Sequence, residues 1–135
     1  MPDTGPPLQQ GPLHLGLTVP GQAEFLGVVR LAVAGLCHRL DVPLDRAEDL
    51  KMAVDEACSH CIQTLPSLQR IAIRFEMAPD CLCVRVLPQP AEGPFLSSDQ
   101  PPPLGLVLME ALVDAVERLE NPVGLRLTMN LPWAP

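Results

Sequence analysis

Glu56 and His60 have the residue types and the spacing that point most directly to chemistry. They lie four residues apart within Asp49–Gln63, where apolar residues recur at three- and four-residue intervals and predict one amphipathic helix. Side chains four residues apart are neighbours on a helix, so a carboxylate and an imidazole would lie side by side next to a core-facing stripe. This arrangement fits a functional site. It also fits a solvated polar face, which is the commoner fate of charged residues.

Two cysteine pairs are further candidates. Cys58 and Cys61 form a CxxC on the same predicted helix, and Cys81 and Cys83 alternate on a predicted strand, where they share a face. The chain has five cysteines and no basic region before an apolar stretch at its N-terminus. We therefore expect no signal peptide and reduced thiols. A zinc site would need both pairs to converge. Because free cysteine is a common buried apolar residue, we expect packing and no metal site.

The composition is that of one globular domain without a basic surface. The 135 residues are 47% hydrophobic and only 3% aromatic, so the core must consist mainly of Leu, Val, Ala and Met. The net charge is −7 and there is no basic run, which argues against nucleic acid and anionic membranes as partners. No apolar run reaches the about 18 residues of a membrane span, and we expect a cytoplasmic protein.

Hydrophobic periodicity predicts the order strand, helix, helix, two strands, helix, strand. Asp45 and Glu48 resemble a capping box that opens the second helix. Residues 1–12 are predicted to be a flexible arm, and residues 13–135 a single domain. The predicted elements are strands at 13–20, 71–77, 82–86 and 124–131, helices at 22–40, 45–65 and 104–119, and an irregular loop at 88–103.

The segment DLKMAVDEACSHCIQ at 49–63 resembles the ATP-site helix of the bacterial anti-sigma factor serine kinases. These belong to the superfamily of histidine kinases, gyrase and the heat-shock chaperone ATPases. Collinear similarity extends over FLGVVRLAVAG at 25–35, IRFEMAPD at 73–80 and LGLVLMEALVDAV at 104–116. The resemblance implies an α+β fold, the Bergerat-type two-layer α/β sandwich, with a mixed sheet and helices on one face.

The resemblance also implies roles for particular residues. Glu56 matches the family glutamate that prepares the attacking hydroxyl, and His60 stands where an asparagine holds Mg²⁺. Pro88 and Pro90 occupy the positions of a D-x-G that binds adenine, so the side-chain acceptor and the backbone freedom are missing. A phosphate-binding turn normally opens the third helix. Of this turn, Gly105 and Leu106 survive, following Pro101, Pro102 and Pro103.

Three functions follow from these observations. The first is an anti-sigma-factor-like regulator that binds a sigma factor or an antagonist protein and forms a homodimer. In this function the protein no longer binds ATP, and no cofactor is expected. The alternative is an active serine/threonine protein kinase that binds ATP and Mg²⁺ in an altered site, with His60 on the metal. The third is a thiol- or metal-responsive regulator that uses Cys58, Cys61 and His60.

Overall fold

In the part of the chain that the structure describes, three helices cover one face of a five-stranded antiparallel sheet. The computed structural model describes residues 13–91 and 104–131. The strand order is β1-β2-β3-β5-β4, and each neighbouring pair is antiparallel. The α+β class and the two-layer sandwich are thus confirmed, although the described sheet is antiparallel and not mixed. The elements are β1 (Leu13–Pro20), α1 (Leu26–Arg39, preceded by a 3-10 turn at Ala23–Phe25), α2 (Leu44–Thr64), β2 (Arg70–Met77), β3 (Cys81–Gln89), α3 (Leu104–Leu112), β4 (Ala115–Glu120) and β5 (Val123–Asn130).

The core lies between the helices and the sheet and is almost entirely aliphatic. Alternate residues of β2, β3 and β5 point toward the helices because successive side chains on a strand face opposite sides. Their partners on the helices recur at three- and four-residue spacing. The buried core includes Val29, Val33, Leu50, Ala53, Val54, Ala57, Cys58, Ile71, Ile73, Phe75, Leu82, Val84, Val86, Met109, Leu125, Leu127 and Met129.

The predicted third helix is too long. It ends at Leu112, and Ala115–Glu120 forms β4, antiparallel to β5 with Val116 opposite Leu127. Glu, Arg and Leu favour helix, but here half-buried Val116 packs against the core. Tertiary pairing therefore overrides local propensity. The Asp114 backbone N–H donates to the Thr128 carbonyl at 2.9 Å, which fixes the junction where the helix gives way to the strand.

The start of α2 also differs from the prediction. The helix begins at Leu44, after Pro43, and no side chain caps it. Asp45 accepts a hydrogen bond from the neighbouring Arg46 N–H, while Glu48 pairs with Lys51 at 2.8 Å. The proposed capping box therefore does not form.

The sheet face away from the helices, which we call the open face, has no layer of described residues over it. β1 is one edge of the sheet, and its Leu13 and Leu15 are 51% and 46% exposed. The predicted arm at 1–12 and the Pro101–Pro103 run lie outside the described residues. In residues 13–91 and 104–131, no helix combines the length and apolarity needed to cross a membrane.

Candidate functional site

Glu56 and Gly105 bring α2 and α3 together at the predicted site. Glu56 lies in the middle of α2 and is half-buried, and Gly105 is the second residue of α3. A Cβ placed on Gly105 would lie 3.1 Å from Glu56 Oε2, a tight contact. The first turn of a helix has backbone N–H groups without helical partners and carries partial positive charge. Since the first turn of α3 contains no acidic residue of its own, the Glu56 carboxylate supplies the nearby negative charge.

Leu106, the neighbour of Gly105, has a packing role. It is half-buried and lies against the core cluster. The buried part of this side chain therefore packs the first turn of α3 onto the core.

His60 lies one turn after Glu56 on α2 and is half-buried, with no solvent-accessible surface on Nε2. Burial lowers the pKa of His60 below its usual value. The imidazole is therefore mainly neutral at pH 7 and adds no positive charge beside Glu56. A neutral imidazole is a good ligand for transition metals but a poor substitute for the oxygen ligands that Mg²⁺ prefers.

Pro88 lies inside β3 and not in the irregular loop predicted for 88–103. It is buried and pairs with Ile71, on the same side of the strand as Val84 and Val86. Proline is unusual in a strand because it has no N–H for the sheet. An apolar ring thus occupies the position at which the resemblance implies a carboxylate. Pro90 follows the end of β3 and is half-buried.

The two cysteine pairs do not converge. Cys58 and Cys61 are fully buried between α2 and the sheet, and burial raises the pKa of Cys61 to about 12. Cys81 and Cys83 lie on the open face, because they alternate with the core residues of β3. Within the described ranges, no cluster of three or more His, Cys, Asp or Glu side chains is placed to hold a metal. The two pairs lie on opposite sides of the sheet, so they are not placed to share one zinc ion, and a thiol sensor at Cys58 and Cys61 would have no accessible sulfur.

A row of arginines on the open face is a feature that sequence reasoning did not find. Arg74 on β2 lies opposite Arg85 on β3, which in turn lies opposite Arg126 on β5. Their ion pairs are long, 3.8 Å from Arg85 to Glu76 and 3.7 Å from Arg126 to Glu117. Each arginine lies between two apolar residues of its strand, and this alternation in the sequence indicates that the arginine faces away from the core. Their mutual alignment depends on the strand register, which periodicity does not provide.

Known proteins resemble this chain in sequence and in fold. A family model described as "Histidine kinase-like ATPase domain" matches residues 19–131. The serine-protein kinase RsbW of Bacillus subtilis (strain 168) is 34% identical over 134 residues, covering 86% of this chain and 83% of that protein. The serine-protein kinase RsbW of Bacillus velezensis is 32% identical over 126 residues, covering 80% of this chain and 79% of that protein.

A solved structure shares the fold. The crystal structure of the RsbU and RsbW domains of a Mycobacterium tuberculosis protein matches with a TM-score of 0.65 and 14% identity, covering 87% of this chain and 32% of that longer chain. At this level of identity the match concerns the architecture alone. It agrees with the two-layer arrangement of helices on an antiparallel sheet.

Proposed function

Because this chain belongs to the histidine kinase-like ATPase domain family, we propose that it is an anti-sigma-type regulator that retains serine-kinase chemistry in an altered ATP site. The observation that carries the proposal is the 3.1 Å approach between Glu56 Oε2 and the Cβ position of Gly105. This approach keeps together the carboxylate to which the resemblance assigns preparation of the attacking hydroxyl and the glycine that it places in the phosphate-binding turn. The name of the relatives, serine-protein kinase, supports retention of this chemistry and gives no support to its loss.

In this proposal Glu56 is the general base. A half-buried carboxylate on a rigid helix can accept the proton of a serine hydroxyl on a partner protein. Bound ATP would supply the phosphoryl group. Gly105 would let the backbone at the start of α3 approach the phosphates, where helical N–H groups favour negative charge.

The rest of the site fits a nucleotide less well. His60 offers a neutral nitrogen at the position of an oxygen ligand. Buried Pro88 offers no side-chain acceptor for the adenine amino group, and leaving such a group unpaired costs about 1–3 kcal/mol. Since about 1.4 kcal/mol corresponds to tenfold in Kd, we expect ATP to bind at least several-fold more weakly than in a site with an aspartate there.

Partner binding without ATP is the second candidate, and the Pro88 ring in the sheet favours it. Such a protein would act only by binding a partner at its surface. The outer side of α1 is a candidate binding surface, because its apolar residues Val28 and Leu31 are 46% and 74% exposed and lie three residues apart on the helix. The ion pair of Arg30 with Asp55, at 2.5 Å, joins α1 to α2 beside that surface.

In both candidates the partner is a protein. The family resemblance implies a sigma factor or its antagonist, which makes the cytoplasm the expected location. The net charge of −7 argues against nucleic acid. We further propose a homodimer through the open face, as the resemblance implies. Sedimentation across about 1–100 μM chain tests it, since dimer formation depends on concentration.

Thermal melting with ATP and Mg²⁺ separates the two candidates. The kinase proposal expects millimolar ATP to raise the Tm, because a ligand that binds only the folded state stabilises it. Labelled ATP should then transfer phosphate to a serine of an antagonist protein, and Glu56→Gln should abolish the transfer while keeping the Tm shift. If millimolar ATP with Mg²⁺ leaves the Tm unchanged while a sigma factor still binds, partner binding alone is the function.

A further inference from the structure

Cys81 and Cys83 form a close thiol pair on the open face of the sheet. They are two residues apart on β3, and their Sγ atoms are 4.0 Å apart. In the single chain Cys81 is half-buried, so its sulfur can be approached from solvent, whereas Cys83 is only 3% exposed. A homodimer through the open face would cover both sulfurs, so the pair is reactive in the monomer. One accessible thiol therefore lies beside a shielded one.

Side chains from β5 surround the shielded thiol. Cys83 lies opposite Thr128, whose Oγ1 is 3.6 Å from the sulfur. Arg126 Nη2 donates to Cys83 Sγ at 3.5 Å. This contact holds the Cys83 sulfur in place, 4.0 Å from the Cys81 sulfur. Cys83 is thus placed to attack an oxidised sulfur at position 81.

We propose that Cys81 and Cys83 are a reversible disulfide site that responds to hydroperoxides. Burial and the neighbouring Cys83 sulfur raise the pKa of Cys81 to about 11, so the small thiolate fraction of Cys81 attacks the peroxide. The O–O bond breaks, the Cys81 sulfur becomes a sulfenic acid, and the leaving oxygen takes up a proton and departs as water or an alcohol. The Cys83 thiolate then attacks the Cys81 sulfur, and the S–S bond forms as hydroxide leaves and takes up a proton as water. Overall, two thiols lose two electrons and two protons, and one hydroperoxide is reduced.

The strand geometry indicates that this disulfide would be easily reduced. Two residues apart on a strand, Cα atoms are separated by about 6.4–6.8 Å, which is the upper end of the range that disulfides accept. Closing the bond would therefore bend the start of β3. Strained, accessible disulfides are the ones that cellular thiols reduce readily, so the reaction can run in both directions.

The chain contains its own matched control. Cys58 and Cys61 are a second close-spaced pair, but both are fully buried in the core. In the folded protein they should not react with a small oxidant. A difference in oxidation between the two pairs would therefore be due to their positions in the fold and not to their spacing in the sequence alone.

Peptide mass mapping tests the proposal on the unmodified full chain. The chain at about 1 μM, dilute enough to disfavour self-association, is treated with hydrogen peroxide, alkylated and cut with trypsin. Cleavage after Arg74 and Arg85 releases FEMAPDCLCVR, which contains only this pair of cysteines. We expect it to lose two hydrogen atoms, about 2 Da, and to regain alkylation after glutathione, while the Cys58–Cys61 peptide stays alkylated throughout.

Two variants test the assigned roles. In Cys83→Ser the sulfenic acid should persist on Cys81 and be trapped by dimedone. In Arg126→Gln the trapped fraction should rise several-fold over wild type, whereas Arg85→Gln, on the same face, should match wild type. The proposal is overturned if FEMAPDCLCVR remains fully alkylated in the oxidised wild type, if Cys58 and Cys61 oxidise first, or if the product is a disulfide between two chains.

Discussion

Arg46 Nη2 donates to Asp114 Oδ2 at 2.9 Å, joining the first turn of α2 to the junction between α3 and β4. The same carboxylate oxygen accepts the Asn130 backbone N–H at 2.7 Å. One side chain thus holds together a helix start, a helix end and the end of β5.

Asp114→Ala should therefore lower the free energy of unfolding by about 1–2 kcal/mol, because charged hydrogen bonds are lost at a site only partly screened by water. Chemical denaturation measures the change. Asp114→Asn is the control, since it keeps an acceptor for Asn130 and removes only the ion pair, and about half the loss is expected. If Asp114→Ala were as stable as wild type, the contacts of Asp114 with Arg46 and Asn130 would not stabilise the fold.

Gly105→Ala tests the close approach of α2 and α3. The new methyl would lie 3.1 Å from Glu56 Oε2 and displace that carboxylate. We expect ATP binding or phosphate transfer to fall at least several-fold, with little change in Tm. Gly35→Ala in α1 is the matched control, because nothing lies within 4 Å of its Cβ position. It should add about 0.5–1 kcal/mol of stability and leave activity unchanged.

The pH dependence of stability should reveal His60. Burial lowers its pKa in the folded chain, so the unfolded chain binds the proton more readily, and stability rises with pH through this interval. Above the unfolded pKa of about 6.5, His60 is neutral in both states and burying it costs no proton. As pH falls below this value, the free energy of unfolding decreases. His60→Asn should flatten the change in the free energy of unfolding between pH 7.5 and 5.5. His38→Asn, at an exposed site, should retain it.

Pro88→Asp should affect the free and the nucleotide-bound protein in opposite ways. Position 88 is buried in β3, so an unpaired carboxylate there costs stability and should lower the Tm. If ATP binds as the resemblance implies, its adenine amino group pairs with the new carboxylate, and ATP should raise the Tm of the variant more than that of wild type. Equal Tm shifts would mean that adenine does not contact residue 88.

Much of the fold was accessible from the sequence because burial is periodic. Ile71, Ile73 and Phe75 alternate, and this pattern predicts β2 correctly. β4 was missed because Ala115–Glu120 favours helix locally, and only β5 beside it makes the strand form. Pro88 was assigned to a loop because proline usually interrupts a strand, yet the sheet accommodates it opposite Ile71.

The candidate site was less accessible than the fold. Helical spacing placed Glu56 and His60 on neighbouring turns. The approach of Glu56 to Gly105 joins residues 49 positions apart (105 minus 56), and no local pattern encodes such a contact. Burial of Pro88 and the sulfur contact of Arg126 likewise depend on strand register.

The two edges of the sheet differ in their resistance to growth by strand addition. On β4, Glu117, Arg118 and Glu120 place charge along the edge, which discourages another strand from pairing there. On β1, Leu13 and Leu15 are exposed instead. Among the described residues, β1 is thus the edge at which a partially unfolded copy would first extend the sheet, and Leu15→Lys should make the chain less prone to aggregate.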